Sequence, residues 1–317
     1  MNNNPTQDNL ESQTLLNKLV IEYLRDQRRK RRWRWIVRAA IALLIVYFYF
    51  SASSFSDDRT AKNKPHVGLV DIEGTISDSD TASADNFAKS LAAAYKSEGL
   101  RALLVRINSP GGSPVQADYM YNTLQYYRKK YPSVKTYAVC VDICASAAYY
   151  VAAGTDEIYA NPSSMVGSIG VLYNGFGFVD AIQKLGITRR LQTAGTNKAF
   201  LDPFSPTTPE QQQMLQTMLN EVHQQFIDKV KQGRGSRLKI DSDTFSGLFW
   251  TGTQSRERGL IDGFASSGEL LRDVIKREEV IDYTYKQSVF DRMTKNIGAA
   301  VANQLPAALG LKSGIQE

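Results

Sequence analysis

Histidine and cysteine are scarce in this chain, with two of each among 317 residues, and that scarcity narrows the chemistry. Histidine is the commonest metal ligand and a frequent general base. Here His66 precedes the first apolar run of the globular region and His223 falls inside a long amphipathic stretch. Neither stands in the Gly-rich or loop setting typical of a catalytic base. No His/Cys/Asp/Glu cluster has zinc spacing, and no phosphate-binding glycine loop is present. A metalloenzyme and a Ser-His-Asp triad are therefore both weakly supported, and no metal or other cofactor is called for. Cys140 and Cys144 lie four residues apart in an apolar stretch. A bridge at that spacing has difficult geometry, so two buried small hydrophobes is the simpler reading.

Long apolar runs are few as well. The stretch from Ile36 to Phe55 carries a single charge, Arg38, near one end. About 20 apolar residues cross a bilayer as a helix, and an arginine near the border snorkels to the headgroups. Trp33 and Trp35 stand at that border as interfacial anchors do. The net charge of +6 is local: nine Lys/Arg against four Asp/Glu in residues 1–38 supply five of the six charges. The basicity thus orients a membrane span and is not a nucleic-acid footprint. It places the N-terminus in the cytoplasm and the remainder outside. The expected organisation is a basic cytoplasmic segment at 1–35, a signal anchor at 36–55, a linker at 56–65, a globular domain at 66–281 and a C-terminal tail at 282–317, weakly structured or interface-forming.

From His66 onward, short apolar runs alternate with helical periodicity. Val67–Ile72, Ala102–Ile107, Thr136–Val141, Ile158–Ala160, Ser168–Leu172 and Arg190–Gln192 read as strands. Ala82–Glu98, Val115–Lys130 and Ser146–Ala153 read as helices between them. This alternation predicts an α/β fold with helices packed on parallel sheets. Thr208-Pro209-Glu210-Gln211 is a capping box with proline at the first helical position. It opens a long helix with Met214, Leu215, Met218, Leu219, Val222, Phe226 and Val230 on one face. Ser267–Glu278 reads as a further helix.

Two strand ends carry small-residue turns. Asn108-Ser109-Pro110-Gly111-Gly112-Ser113 follows the second strand, where paired glycines let backbone N–H groups approach a ligand. Such donors are what an oxyanion hole requires. Ser146 closes the third strand and opens a helix, which exposes its hydroxyl at a helix N-terminus. Each feature has a plain structural reading: Ser146 as a helix cap and Gly111-Gly112 as a tight turn.

Taken together, the segments resemble the SppA-type signal peptide peptidases, serine peptidases of ClpP/crotonase-like fold with a repeated β-β-α core and a Ser-Lys dyad. The resembling stretches are Gly68–Ile76, Arg106–Ser113, Ala145–Ala152, Gly167–Val171, Gly195–Lys198 followed by Asp202-Pro203-Phe204, and Trp250–Gly252 with Gly259–Asp262. They are spread in the family's order over Val67–Asp262, about two-thirds of the chain. The resemblance implies Ser146 as nucleophile, Lys198 as general base, Gly111 and Gly112 as backbone oxyanion donors, and Ser168 orienting the lysine. It also implies that Gly167, Ile169 and Gly170 form an edge on which an extended peptide adds as a strand.

An unperturbed lysine titrates near 10.4, so a lysine base needs an apolar, desolvating site and works best at alkaline pH. The family draws serine and lysine from adjacent subunits or repeats, which implies a homo-oligomeric ring on the membrane. Signal peptides and membrane-protein fragments are the implied substrates. The implied location is the bacterial inner membrane, with the catalytic domain on its outer side. One departure stands out: Ala147 and Ala148 occupy positions that are usually glycine in the family. It motivates the alternative of a catalytically degenerate peptide-binding scaffold of the same fold. A crotonase-type acyl-CoA reaction is disfavoured by the Ser146/Lys198 pair, by the anchor and by the lack of a nucleotide-binding feature.

Overall fold

A computed structural model describes residues 28–47 and 63–286. It divides into two units, Met1–Asn63 and Lys64–Glu317. In the first, residues 28–47 form helix α1. Among the described residues no helix is long and apolar enough to cross a membrane. The expected span at 36–55 continues past residue 47, and its second part lies outside the described residues. So do residues 1–27 of the basic segment, most of the linker, and the tail from 287 onward.

In the second unit the chain runs β1 (His66–Glu73), α2 (Ala84–Tyr95), β2 (Leu100–Ser109), α3 (Pro114–Lys130), β3 (Lys135–Ala145), α4 (Ala147–Ala152), β4 (Glu157–Ala160), β5 (Met165–Gly167), α5 (Val179–Lys184) and α6 (Pro209–Arg234). It continues with β6 (Phe249–Thr251), α7 (Gly252–Glu257), β7 (Gly263–Phe264), α8 (Ser267–Glu269, extended by a π turn at Leu270–Ile275) and β8 (Val280–Asp282). The strands form one sheet in the order β6-β5-β3-β2-β1-β8, with β4 and β7 branching from β3. Every described pairing is parallel except β5 with β6. The sheet is therefore mixed but largely parallel, as the alternation predicts.

The period-2 alternation of side chains along a strand divides the core. Leu103, Val105 and Ile107 of β2 join Ala138 and Cys140 of β3 on the face covered by α2, α3, α4 and α6. Ala102 and Leu104 join Val67, Tyr137 and Val139 on the other face, against Ala265 and Leu270. Helix starts follow the sequence signals. Ser83 and Ser113 accept N–H bonds from Asn86 and Gln116, and the Thr208/Gln211 capping box is present.

Three expected elements differ. Ser168–Leu172 is not a strand, because Ser168 turns into the left-handed region at φ 50° directly after β5. Arg190–Gln192 lies in irregular backbone with no strand beside it. The helix expected at Ser267–Glu278 stops at Lys276, which adopts φ 56°. Strands β5 to β8, each two or three residues long, are too short to give a periodic signal.

What positions the site is the division of β3. Tyr137–Cys140 pairs with β4, whereas Ile143–Ala145 pairs with β5. At the change, Ile107 faces Cys140 and Ser109 faces Cys144, so β3 carries two extra residues against β2. Bulges redirect a strand. Here Asn108 fills the gap, accepting from the Ile143 N–H at 3.2 Å and donating to Asp142 at 3.3 Å.

Helix α6 is tied down at its C-terminal end. Arg234, 1% exposed, donates twice to Asp262 at 2.8 and 2.9 Å and once to the Gly259 carbonyl. Burial alone would raise the Asp262 carboxyl, but Arg234, the Ile158 N–H and Arg237 together hold it below its ordinary 3.8. Breaking a buried pair leaves an uncompensated charge. Asp262→Asn is expected to lower stability at pH 7 by about 3 kcal/mol. A carboxyl held low in the folded state stabilises above its unfolded value, and that contribution is lost as pH falls through the lowered one. The gap between variant and parent should therefore close below pH 3.8. Urea melts across pH 2 to 7 check this, and equal stability at pH 7 would contradict it.

Candidate functional site

Ser146 sits between β3 and α4 with φ 55° and ψ −126°, a conformation rarely adopted by a residue with a side chain. Its N–H donates to the Gly167 carbonyl at 2.8 Å, and its own carbonyl accepts from Tyr150 at 3.0 Å. Its hydroxyl makes no capping bond to α4. The helix-cap reading of Ser146 therefore fails, since a capping serine bonds an N–H of the first turn. A strained backbone holding an uncommitted hydroxyl at a cavity is a feature of functional sites.

The glycine pair packs directly on this turn. Gly111 adopts φ 107°, and a β-carbon there would lie 2.7 Å from the Ala145 carbonyl and 2.8 Å from Ser146 Cβ. Gly112, at φ 148°, would meet the Ile76 carbonyl at 2.1 Å. That contact is fastened by Ile76 N–H to the Gly111 carbonyl and by Ser113 N–H to the Ile76 carbonyl. The Gly111 N–H is already bonded to Ser109 Oγ at 3.1 Å. Gly112 N–H has no partner among the described residues, and Ala147 N–H, at the first position of α4, has none within its helix. Among the described residues the unpartnered N–H groups beside Ser146 are thus those of Gly112 and Ala147, whereas the Gly111 N–H, expected as a donor, is taken.

A cavity of about 610 Å³ opens beside Ser146. One side is Pro110, Gly112, Ala147 and Tyr150; another is Val222, His223 and Phe226 of α6; a third is Ser168 with Gly170–Leu172. The Tyr150 and Phe226 rings lie 4.9 Å apart. The Tyr150 hydroxyl donates to Asp118 at 2.9 Å, and burial together with that bond raises it. Asp118 in turn pairs with Lys229 at 3.2 Å, linking α3, α4 and α6 around the cavity. Cys140 and Cys144 are free and buried, and burial pushes the Cys144 thiol up.

The expected site residues separate into two groups. Ser146, Gly112, Ser168 and Gly170 line the cavity. Gly167 and Ile169 do not: both are buried behind the wall, Ile169 with 0% exposure, so the expected peptide edge is reduced to Gly170 and its successors. Ser168 faces the cavity, with no side-chain hydrogen bond to a lysine. Lys198 is exposed in a turn, its N–H bonded to the Gly195 carbonyl at 3.2 Å, and is not a cavity residue. The two histidines differ in kind. His66 is a structural residue, bonded to Tyr283 at 2.9 Å and to the Lys64 carbonyl at 2.7 Å. His223 lies in the cavity, which sequence spacing alone does not reveal. Val222 and Phe226 appear in the sequence only as part of the apolar face of a helix. Among the described residues, no group of three or more His, Cys, Asp or Glu could hold a metal ion.

The profile of Peptidase family S49 matches residues 128–280 and that of Clp protease matches residues 70–166. The mixed α/β sheet is of the ClpP-like kind. A Brucella abortus protein named Na(+)/H(+) antiporter NhaA is 37% identical over 256 residues, covering 79% of this chain and 33% of that protein. The chain thus spans about a third of the length of the Brucella relatives it matches. A putative signal peptide peptidase SppA of Enterococcus faecium is 25% identical over 235 residues, 72% of this chain and 67% of the relative. A solved 1510-N membrane-bound stomatin-specific protease mutant superposes with TM-score 0.43 at 15% identity, covering 71% of this chain and 99% of its own.

The close approach of Gly111 gives a direct test. Gly111→Ala pushes a methyl into Ser146 and the Ala145 carbonyl. Reaction of Ser146 with a fluorophosphonate probe should fall about a hundredfold, the scale of a reacting group displaced by about 1 Å, with far-UV circular dichroism retained. Labelling at the parent rate would show that the turn tolerates displacement.

Proposed function

The chain belongs to peptidase family S49, and from that premise we propose that it is a membrane-anchored serine endopeptidase whose active site is completed between two copies. The observation that carries this reading is Ser146 itself: a strained serine with an uncapped hydroxyl, on a cavity, beside the unpartnered N–H groups of Gly112 and Ala147. In the proposed reaction the Ser146 hydroxyl attacks the scissile carbonyl while neutral Lys198 takes its proton. The two N–H groups hold the tetrahedral oxyanion, the amine leaves with the lysine proton, and water hydrolyses the acyl-enzyme. Ala147 in place of glycine keeps its N–H and lines the cavity, which favours catalysis over the degenerate-scaffold alternative.

Lys198 comes from an adjacent copy in this proposal, with Ser168 beside it. Support comes from the apolar surface that one chain leaves uncovered. Leu172, Phe176 and Leu185 are 80%, 75% and 73% exposed, and Met214 and Met218 of α6 are about half exposed. Such a patch marks an interaction surface. The cavity walls of Tyr150, Val222 and Phe226 suit apolar side chains of an extended peptide, of the kind found in signal peptides and membrane-protein fragments. The apolar run at 36–55, with its basic flank, anchors the chain in the bacterial inner membrane with the catalytic domain on the outer side.

A second reading, with His223 as base, is favoured by its place in the cavity and opposed by the engagement of its Nε2 with the Ile169 carbonyl at 3.0 Å. Cleavage of a fluorogenic apolar peptide by the full chain in detergent, from pH 6 to 10, separates the readings. The rate should rise between pH 7 and 9, and Ser146→Ala and Lys198→Ala should each lower it by at least about a thousandfold. Parent-like cleavage by Lys198→Ala would remove the lysine and bring His223 forward. An assembled chain that neither cleaves nor labels would be the scaffold.

A further inference from the structure

The wall formed by residues 168–172 has no ladder partner where it meets the cavity, yet it is held in a defined shape. Ser168 N–H donates to the Leu248 carbonyl at 2.8 Å, and Gly170 N–H folds back onto the Ser168 carbonyl at 2.9 Å. The Ile169 side chain is fully buried in the main core. The remaining polar tether is the Ile169 carbonyl, which accepts from His223 Nε2 at 3.0 Å. A carbonyl only accepts, so the ring carries its proton on Nε2.

Because His223 occupies the Ile169 carbonyl, an incoming strand cannot use that group. The Gly170 carbonyl and the N–H and carbonyl of Val171 have no partner within the chain among the described residues, and both residues are partly exposed on the cavity. A strand adding to an edge needs such consecutive unpaired groups at fixed positions.

We propose that His223 is a positioning residue for peptide binding: its Nε2–H sets the height of residues 169–171 against α6, so that Gly170 and Val171 present their backbone groups to an extended peptide. The inference deepens the peptidase reading by naming what aligns its substrate, and it requires peptide binding but not cleavage. His223 acts through Ile169 and needs no contact with the reacting atoms. Loss of the donor frees the wall to shift while leaving Ser146, held independently through the Gly167 carbonyl and the Gly111 contact, in place.

The test uses the full chain in detergent with Ser146→Ala, so that nothing is cleaved, and a fluorescein-labelled decapeptide of leucine, valine and alanine with terminal lysines, read by anisotropy. His223→Leu should raise Kd about tenfold, the scale of one hydrogen bond. His223→Gln, which retains an N–H donor, should stay within about threefold of the parent. Far-UV circular dichroism and the thermal midpoint of His223→Leu should match the parent, which reports an intact fold. Equal weakening by Leu and Gln, an unchanged Kd in His223→Leu, or no binding by the Ser146→Ala parent would each overturn the proposal. Binding that depends on His223 in a chain that never labels at Ser146 would support it while overturning the peptidase reading.

Discussion

The site depends on one close contact: the backbone of Gly111 lies against the Ala145-Ser146 peptide at a distance where no β-carbon fits. Ser146 can hold φ 55° only because its surroundings over-determine it. Gly111 presses from the β2 side, the Gly167 carbonyl takes its N–H from the β5 side, and α4 begins at the next residue with six consecutive buried side chains. The bulge in β3 makes this convergence possible, since without the two extra residues between Cys140 and Cys144 the strand end would not turn from β4 toward β5. The amide of Asn108 closes that bulge with both of its polar ends.

Local signals in the sequence reach only as far as local structure does. The apolar runs of β1 to β3, the caps at Ser83, Ser113 and Thr208, and the two small-residue turns are local signals, and their elements lie where the periodicity puts them. That Ser146 and Gly112 come together on one cavity is legible because each stands at a strand end that needs a particular residue type. The short strands β5 to β8 are not, since their pairing is decided by partners far along the chain. Gly111 shows the limit well: a glycine in a turn can supply its N–H or its missing side chain, and only the bond to Ser109 shows which. His223 illustrates the same limit, because helical spacing places it beside an apolar face without revealing that the face floors a cavity.

Under the proposed Ser146/Lys198 dyad, the site of one chain is incomplete. The cavity is lined by Ser146, Gly112, Ala147 and apolar side chains of α6, while Lys198 stands in an exposed turn of the segment between Val171 and Thr208. That segment carries much of the exposed apolar surface, including Phe176, Leu185 and Ile187. Exposed apolar surface together with a missing base is accounted for at once if the segment docks on a neighbouring copy and delivers its lysine there. Activity would then be tied to assembly, and an isolated chain would carry a serine without a base.

Mixing two inactive variants tests this account most directly. Ser146→Ala chains keep the lysine, and Lys198→Ala chains keep the serine. If the dyad forms between adjacent copies, co-assembly at equal amounts restores about a quarter of parental cleavage by random pairing in a cyclic oligomer. If the mixture stays as inactive as its components although the two variants co-purify in one assembly, serine and lysine must come from the same chain, and the shared-site account is wrong.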